Sequence, residues 1–256
     1  MTAPSTRIHP LAQVQLEQAV WQNGWRIDDG VVSGWVQRRS HSAPGAIWVA
    51  AGSAHGPWFL AIDHAGVVGE FGSPAETAGP GLARYKFENL HDLHAALSRA
   101  YDLAKALPDD PLRRFEAETR GRPRSTEAER LVVQRVGQDI FRDALMHFWG
   151  GRCPLTGIDD PALLRASHMK PWAACATDAE RLDVYNGLLL SALWDAAFDR
   201  YLVTFSSGGV PRYSPALSDG ARAILEAHVE APLTFSEQHL IYLGEHRRIF
   251  RNSLER

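Results

Sequence analysis

The chain has 256 residues, 45% hydrophobic and 22% charged, with a formal net charge of −3. That is length enough for one large domain or two small ones with a real core. Its slightly acidic balance argues against a globally basic nucleic-acid coat, and its two cysteines, Cys153 and Cys175, exclude a disulfide framework or a four-thiolate zinc site.

No apolar run reaches the roughly 18 residues that mark a membrane helix. The start "MTAPSTRIHP" has no apolar signal core. A cytoplasmic protein with no membrane partner is expected. The first elements read as α+β. A helix over about Leu11 to Asn23 leads into "WRIDDGVVSGWVQRR", "GAIWVAA" and "WFLAIDHAGVVGEFG", which are short β-rich runs separated by Gly, Ser and His-Gly-Pro turns. A helix follows in "NLHDLHAALSRAYDLAKAL", with Leu90, Leu93, Leu97, Ala100, Tyr101 and Ala104 on its apolar face. Five of the eight tryptophans lie in the first 58 residues, so this half has its own aromatic core or an aromatic surface.

The stretch "PDDPLRRFEAETRGRPRS" breaks the pattern with proline, glycine and mixed charge, and the domain boundary is expected there. The organisation expected is an N-terminal α+β domain at 1–108, a linker at 109–125 and a second domain at 126–256. Charge changes sign near the boundary: residues 1–110 carry 8 Lys/Arg against 11 Asp/Glu, and residues 111–152 carry 9 against 6. Of the 27 cations 24 are Arg, a bias that suits bidentate phosphate contacts and that a GC-rich genome also produces.

The second half opens on a strong helix. Thr126 and Glu129 form a capping-box pattern, Leu131, Val132, Val136, Ile140, Phe141, Leu145 and Phe148 are read as one face, and Gly150-Gly151 ends it. "RCPLTG" reads as a short strand plus turn, and "ALLRASHM" as a strand ending at His168. A polar loop through Asp178 to Asp183 precedes "YNGLLLSALWDAAFDRY", then a hairpin in "YLVTFSSGGVPRYS" and a last helix in "SEQHLIYLGEHRRIF".

Asp195 and Asp199 stand i,i+4 on one helix among Leu193, Trp194, Ala196, Ala197 and Phe198. Like charges on adjacent turns repel by a few tenths of a kcal/mol unless something positive sits between them, and a divalent cation is the natural candidate.

In the order "RVGQDIFRDAL", "CPLTG", "SHMKPW", "NGLLLS" and "DAAFDR", residues 130–205 resemble the HNH endonucleases, whose active site is a ββα-metal element. The fold class expected is therefore α+β, an N-terminal α+β domain followed by a ββα-metal (HNH) domain with flanking helices. The resemblance implies a metal-dependent DNA endonuclease that leaves 5′-phosphate and 3′-hydroxyl ends, of a restriction or phage-defence type. His168 would be the general base, its near-neutral pKa suited to the task. Asn186 would tie the loop to the helix and keep His168 in place. Asp195 and Asp199 would be oxygen ligands of one metal. Lys170, on the turn set by Pro171, and Ser167 are candidate phosphate contacts, with a solvated Lys170 an equal reading. Trp172 is read as a packing residue.

Two departures from the family pattern matter. Ser167 stands where many relatives carry a metal-ligating Asp or His, and Asp195 replaces the third His. Both shift the site towards hard oxygen donors, favouring Mg²⁺ or Mn²⁺ over Zn²⁺. They also support the alternative of a non-catalytic nucleic-acid-binding or regulatory protein on a degenerate HNH scaffold. DNA is the partner implied. A homodimer would fit double-strand cutting, although the residues leave nicking open as well. The N-terminal segment has no catalytic signature. Its Trp21, Trp25, Trp35, Trp48 and Trp58, with Arg38-Arg39 beside "RRSHSAPG", make it the expected reader of target or modified bases, a plain aromatic core being the other reading.

Overall fold

A computed structural model of the chain describes residues 3–123 and 125–254, and side chains as far as residue 252. Arg124, in the expected linker, lies outside the described residues. The chain divides into two compact units, residues 1–110 and 111–256. Among the described residues no helix is long and apolar enough to cross a membrane.

The first unit is an antiparallel meander, β1 (Ile27–Val32), β2 (Trp35–Arg39), β3 (Ala46–Ala51), β4 (Trp58–Ile62) and β5 (Ala83–Phe87), with spatial order equal to chain order. Ser33 and Gly34 both have positive φ, 52° and 81°, which gives the tight turn between paired Val32 and Trp35 its twist. Helices α1 (Pro10–Gln22) and α3 (Leu90–Ala106) cover β3 and β4, with the short α2 (Ala65–Gly69) between β4 and β5. The expected β-rich run after Trp58 is thus half helix, and β5 was not expected. Trp25, Trp35 and Trp58 are buried, Trp48 is half-buried and Trp21 is 60% exposed, so most of the tryptophans are core. Arg38 and Arg39 are taken up by Asp28 and Asp29 on the neighbouring strand, so the basic pair expected beside a mobile loop is neutralised in the sheet.

In the second unit the expected linker is largely a helix, α4 (Asp109–Thr119). Asp109 and Asp110 sit in its first turn, where the helix dipole favours them, Phe115 is 2% exposed, and Arg114 pairs with Asp143 at 2.6 Å. Proline and charge misled because Pro111 falls in the first turn, where no backbone N–H is needed. Next comes α5 (Glu127–Phe148), with both halves of the Thr126/Glu129 capping box formed. Its buried stripe is Val133, Gly137, Ile140, Phe141, Ala144, Leu145 and Phe148. Leu131 and Val132, 53% and 49% exposed, do not belong to it.

Gly150 and Gly151, at φ 64° and 67°, stop the helix. "RCPLTG" forms a turn and no strand, closed by Cys153 N–H to the Ile158 carbonyl and Gly157 N–H to the Cys153 carbonyl. Strands β6 (Leu164–His168) and β7 (Gly187–Ser191) pair antiparallel, and α7 (Ala192–Asp199) follows β7 directly. Between the strands, the expected polar loop holds a 3₁₀ turn at Trp172–Ala174, the short α6 (Asp178–Leu182) and a 3₁₀ turn at Val184–Asn186. The hairpin β8 (Val203–Phe205) and β9 (Pro211–Tyr213) follows, then α8 (Asp219–Ala227), which was not among the expected elements, and α9 (Glu237–Leu254).

Candidate active site

His168 ends β6 opposite Gly187, which opens β7. Gly187 is needed there: a Cβ would lie 2.5 Å from Phe141 Cζ. The space it leaves admits Phe141, whose ring stacks on the His168 imidazole at 3.8 Å between centroids. Trp172 meets the same imidazole edge-on at 5.7 Å. Trp172 is itself seated by a second glycine, since a Cβ on Gly137 in α5 would come within 2.4 Å of its ring. A glycine in mid-helix costs about 1 kcal/mol relative to alanine. Gly137 was therefore the signal, unused at the sequence level, that something packs closely there.

The imidazole is also oriented by a hydrogen bond. His168 Nε2 lies 2.9 Å from the Arg181 carbonyl oxygen, which can only accept, so Nε2 carries the proton and Nδ1 keeps its lone pair. Burial lowers the pKa of His168 to about 4, partly opposed by that hydrogen bond. The near-neutral value expected is thereby corrected. The ring is packed between two aromatic side chains, and desolvation disfavours its cation. At neutral pH it is an unprotonated base, and an anionic phosphate brought against it favours the charged form again.

Asn186 is fully buried and holds the turn beyond His168. Its Oδ1 accepts from Lys170 N at 2.8 Å, and its Nδ2 donates to the carbonyls of Lys170 and Glu180 at 3.2 and 3.1 Å. Arg181, missed at the sequence level, ties the same loop from the other side: its guanidinium donates to the Cys175 and Trp172 carbonyls, pairs with Asp178 and lies over the Trp172 ring.

Two expected phosphate contacts are otherwise engaged. Lys170 Nζ is 2.8 Å from Glu180 Oε2, and that carboxylate also accepts from Ala176 N–H. The ammonium holds the loop to α6. Ser167 is 1% exposed and its Oγ donates to Asp195 Oδ1 at 2.6 Å, so neither side chain is a free phosphate ligand. Asp195 is half-buried, and Asp199 stands at the exposed end of α7. Asp199 is among the residues that line the cleft, and loss of solvent and then the Asp195 charge raise its pKa to about 6.

A cleft of about 330 Å³ brings His168 and Asp199 together, lined also by Gln138, Trp172, Tyr201 and His246, whereas Asp195 and Ser167 lie outside its lining. Tyr201 has φ 55°, an uncommon conformation for a non-glycine residue, and its ring lies 4.8 Å from His246. His246 is not a free ligand: Nε2 donates to the Phe198 carbonyl and Nδ1 accepts from Thr204 Oγ1. Among the described residues no group of three or more His, Cys, Asp or Glu side chains converges as a metal site. What is present is a pair of carboxylates one turn apart, of which Asp199, raised in pKa by lost solvent and then by the Asp195 charge, lines an open cleft. Asp195 and Asp199 are the side chains that would hold a hard divalent cation here, with the remaining positions of its shell left to water and phosphate.

Residues 153–206 match the family model described as HNH endonuclease. The match runs from the Cys153 turn through β6, β7 and α7 to the end of β8, so the C-terminal half carries an HNH domain within an α+β chain. It supports a nuclease role and implies nucleic acid as the substrate. No curated protein matches the chain.

Proposed function

We propose that the protein is a divalent-metal-dependent DNA endonuclease of restriction or defence type, with His168 as general base and Asp195 and Asp199 as metal ligands. The observation that carries this reading is the shared cleft: His168, with Nδ1 unprotonated, and Asp199 line the same opening. Water bound there loses a proton to Nδ1 as its oxygen attacks phosphorus. The bond from phosphorus to the 3′ oxygen breaks, and the leaving oxygen takes a proton from solvent, giving 5′-phosphate and 3′-hydroxyl ends. A divalent cation supplies, when bound, positive charge against the oxygens of the scissile phosphate. Asp195 and Asp199 would hold it, with Ser167 steering the Asp195 carboxylate. Phe141, Trp172 and the Arg181 carbonyl keep the imidazole in one tautomer and orientation, and Asn186 keeps the turn that carries it.

The test is cleavage of supercoiled plasmid with Mg²⁺, Mn²⁺ or EDTA, by the whole protein and by His168→Ala. Metal-dependent cutting that falls at least a hundredfold in the variant supports the assignment, since a general base contributes about 10²–10⁴-fold. A variant that cuts at more than about a hundredth of the normal rate sinks it. Plasmids of different methylation state test the defence reading. The sparse ligand set and the engagement of Ser167 favour one competing reading, a non-catalytic nucleic-acid-binding protein. DNA binding without cleavage in any metal would support that instead.

A further inference from the structure

Beyond the cleft, three arginines come together on the hairpin and α9, outside the residues matched by the family. Arg247 and Arg251 are one turn apart on α9. Arg212 on β9 pairs with Thr204, whose hydroxyl bonds His246, so its side chain leaves the hairpin on the face turned towards α9. Arg247 is anchored there: Nε donates to the Phe205 carbonyl at 2.7 Å and Nη1 to Ser207 Oγ at 3.1 Å. The turn supplying Ser207 is held in turn, because Leu233 N–H donates to the Gly209 carbonyl and a Cβ on Gly209 would meet the Leu233 backbone.

Among the described residues none of the three makes an ion pair, although Arg222 and Arg248 close by are paired with Glu226 and Glu245. The Nη2 of Arg247 is enclosed without any hydrogen-bond acceptor. Gathering three cations, one of them anchored, with no counter-ion among the described residues is unfavourable, and an enclosed, unbonded guanidinium N–H costs more. Burial and then repulsion from Arg212 and Arg251 depress the pKa of Arg247. Arg212 and Arg251 are exposed and can be reached from solvent. The anion that suits the group is a phosphate or a run of phosphates, which guanidinium forks bind bidentately. The position is suggestive as well, since His246, the neighbour of Arg247, lines the cleft that holds His168 and Asp199.

We propose that Arg212, Arg247 and Arg251 form a phosphate-binding track that grips the DNA backbone beside the cleft. This rests on the nuclease reading above and adds the surface that holds the substrate. It also accounts for how a chain of net charge −3 can bind a polyanion: the positive charge is concentrated where the backbone passes.

The experiment uses the full chain in EDTA and a short fluorescein-labelled duplex, with anisotropy titrations at several salt concentrations. Arg212→Gln/Arg251→Gln removes the two exposed members and leaves the anchored Arg247 in place. The expected result is a fall of about 2 in the magnitude of the slope of log K against log salt, about 0.9 for each phosphate that is no longer neutralised. Affinity at moderate salt should fall roughly tenfold or more, with melting temperature and Mn²⁺ affinity unchanged. Arg212→Lys/Arg251→Lys should keep most of the slope, because the charge remains. An unchanged slope and affinity in the Gln pair, beside a wild-type protein that binds with steep salt dependence, would overturn the track and leave the nuclease reading standing. Failure of the wild-type chain to bind or cut any DNA would overturn that reading and the track together.

Discussion

The His168 imidazole and the Phe141 ring lie face to face, 3.8 Å between centroids and 17° from parallel. Phe141 comes from the middle of α5 and His168 from the end of β6, so the contact sets how the candidate base is presented. It exists because Gly187 opposite has no side chain. The stack contributes to packing and, beside Trp172, to the burial that lowers the proton affinity of His168, while the Arg181 carbonyl orients the ring.

The first prediction follows from that stacking. Gly187→Ala puts a methyl 2.5 Å from Phe141 Cζ and 2.8 Å from Leu145 Cδ1. The expected cost is about 1–3 kcal/mol, the usual range for overpacking a core, with loss of cleavage as the stack is displaced. Adding Phe141→Leu should recover much of the stability and little of the rate. Denaturant titrations and plasmid assays on both variants check this, and full recovery of the rate would deny the stack any role in aligning the base.

Asn186→Ala removes the side-chain hydrogen bonds to Lys170, Glu180 and Cys175 from a fully buried site and leaves Lys170 N–H without its acceptor. The loss expected is about 2–4 kcal/mol, in line with unsatisfied buried groups. Because Asn186 holds the turn and does not reach the cleft, DNA affinity should hold while the cleavage step slows. Single-turnover kinetics beside equilibrium binding separates the two, and a variant weakened only in binding would contradict the positioning role.

Asp195→Ala should lose metal-supported cleavage, and Asp199→Ala should at least weaken metal affinity. Asp199→Asn makes a sharper test. It removes the carboxyl whose pKa is raised to about 6 by lost solvent and the Asp195 charge. The metal-free protein should therefore melt higher at pH 7 while Mn²⁺ affinity falls. Calorimetric titration gives the second quantity, and equal Mn²⁺ binding in all three variants would reduce the two carboxylates to a helix face.

Stability should fall on mild acidification. His239 and His246, 2% and 1% exposed, are both held to a pKa of about 4 by burial. The unfolded chain titrates near 6.5. Between about 6.5 and about 4 it therefore binds protons that the folded chain refuses, and stability drops as pH falls. Each group contributes up to ~1.4 kcal/mol per pH unit in that window. Asp199, raised to about 6, acts with the opposite sign, because its folded form takes a proton before the unfolded one does. Denaturant unfolding at pH 7 and pH 5 measures the net effect. His239 sits among Phe148, Trp149, Tyr185 and Phe235, so His239→Phe should flatten the pH slope by about one proton. A slope unchanged by that substitution would locate the acid sensitivity elsewhere.

A fragment covering residues 112–256 is expected to fold, bind metal and cut DNA weakly without sequence or modification preference, whereas the whole chain should be selective. The first unit carries a half-buried Trp48 beside Trp35 in a pocket with Gln37 and Thr6, the kind of aromatic setting that can receive a base. End-mapping of products from a randomised, differently methylated pool compares the two. Identical cleavage patterns would remove the first unit from target choice.

What could be read locally was read from the sequence. The Thr126/Glu129 capping box, the Gly150-Gly151 stop, the strand ending at His168 and the i,i+4 pair Asp195/Asp199 are each set by residues within a few positions of one another, where propensity and period act. The same holds for the order strand, strand, helix that carries the family resemblance. Local period failed where a distant partner decided the outcome. Charge and proline in 109–123 looked like a linker until Phe115 and Arg114 found α5. Leu131 and Val132 satisfied the helical period yet face solvent, because nothing packs across from them. The functional groups were decided at the same longer range. Lys170 is held by Glu180, Ser167 by Asp195, the His168 tautomer by the Arg181 carbonyl, and its proton affinity by Phe141 and Trp172. Residue type names the chemistry a side chain can do. Its burial and its partners, which only the folded chain brings together, decide whether the proton, the charge or the lone pair is free to do it.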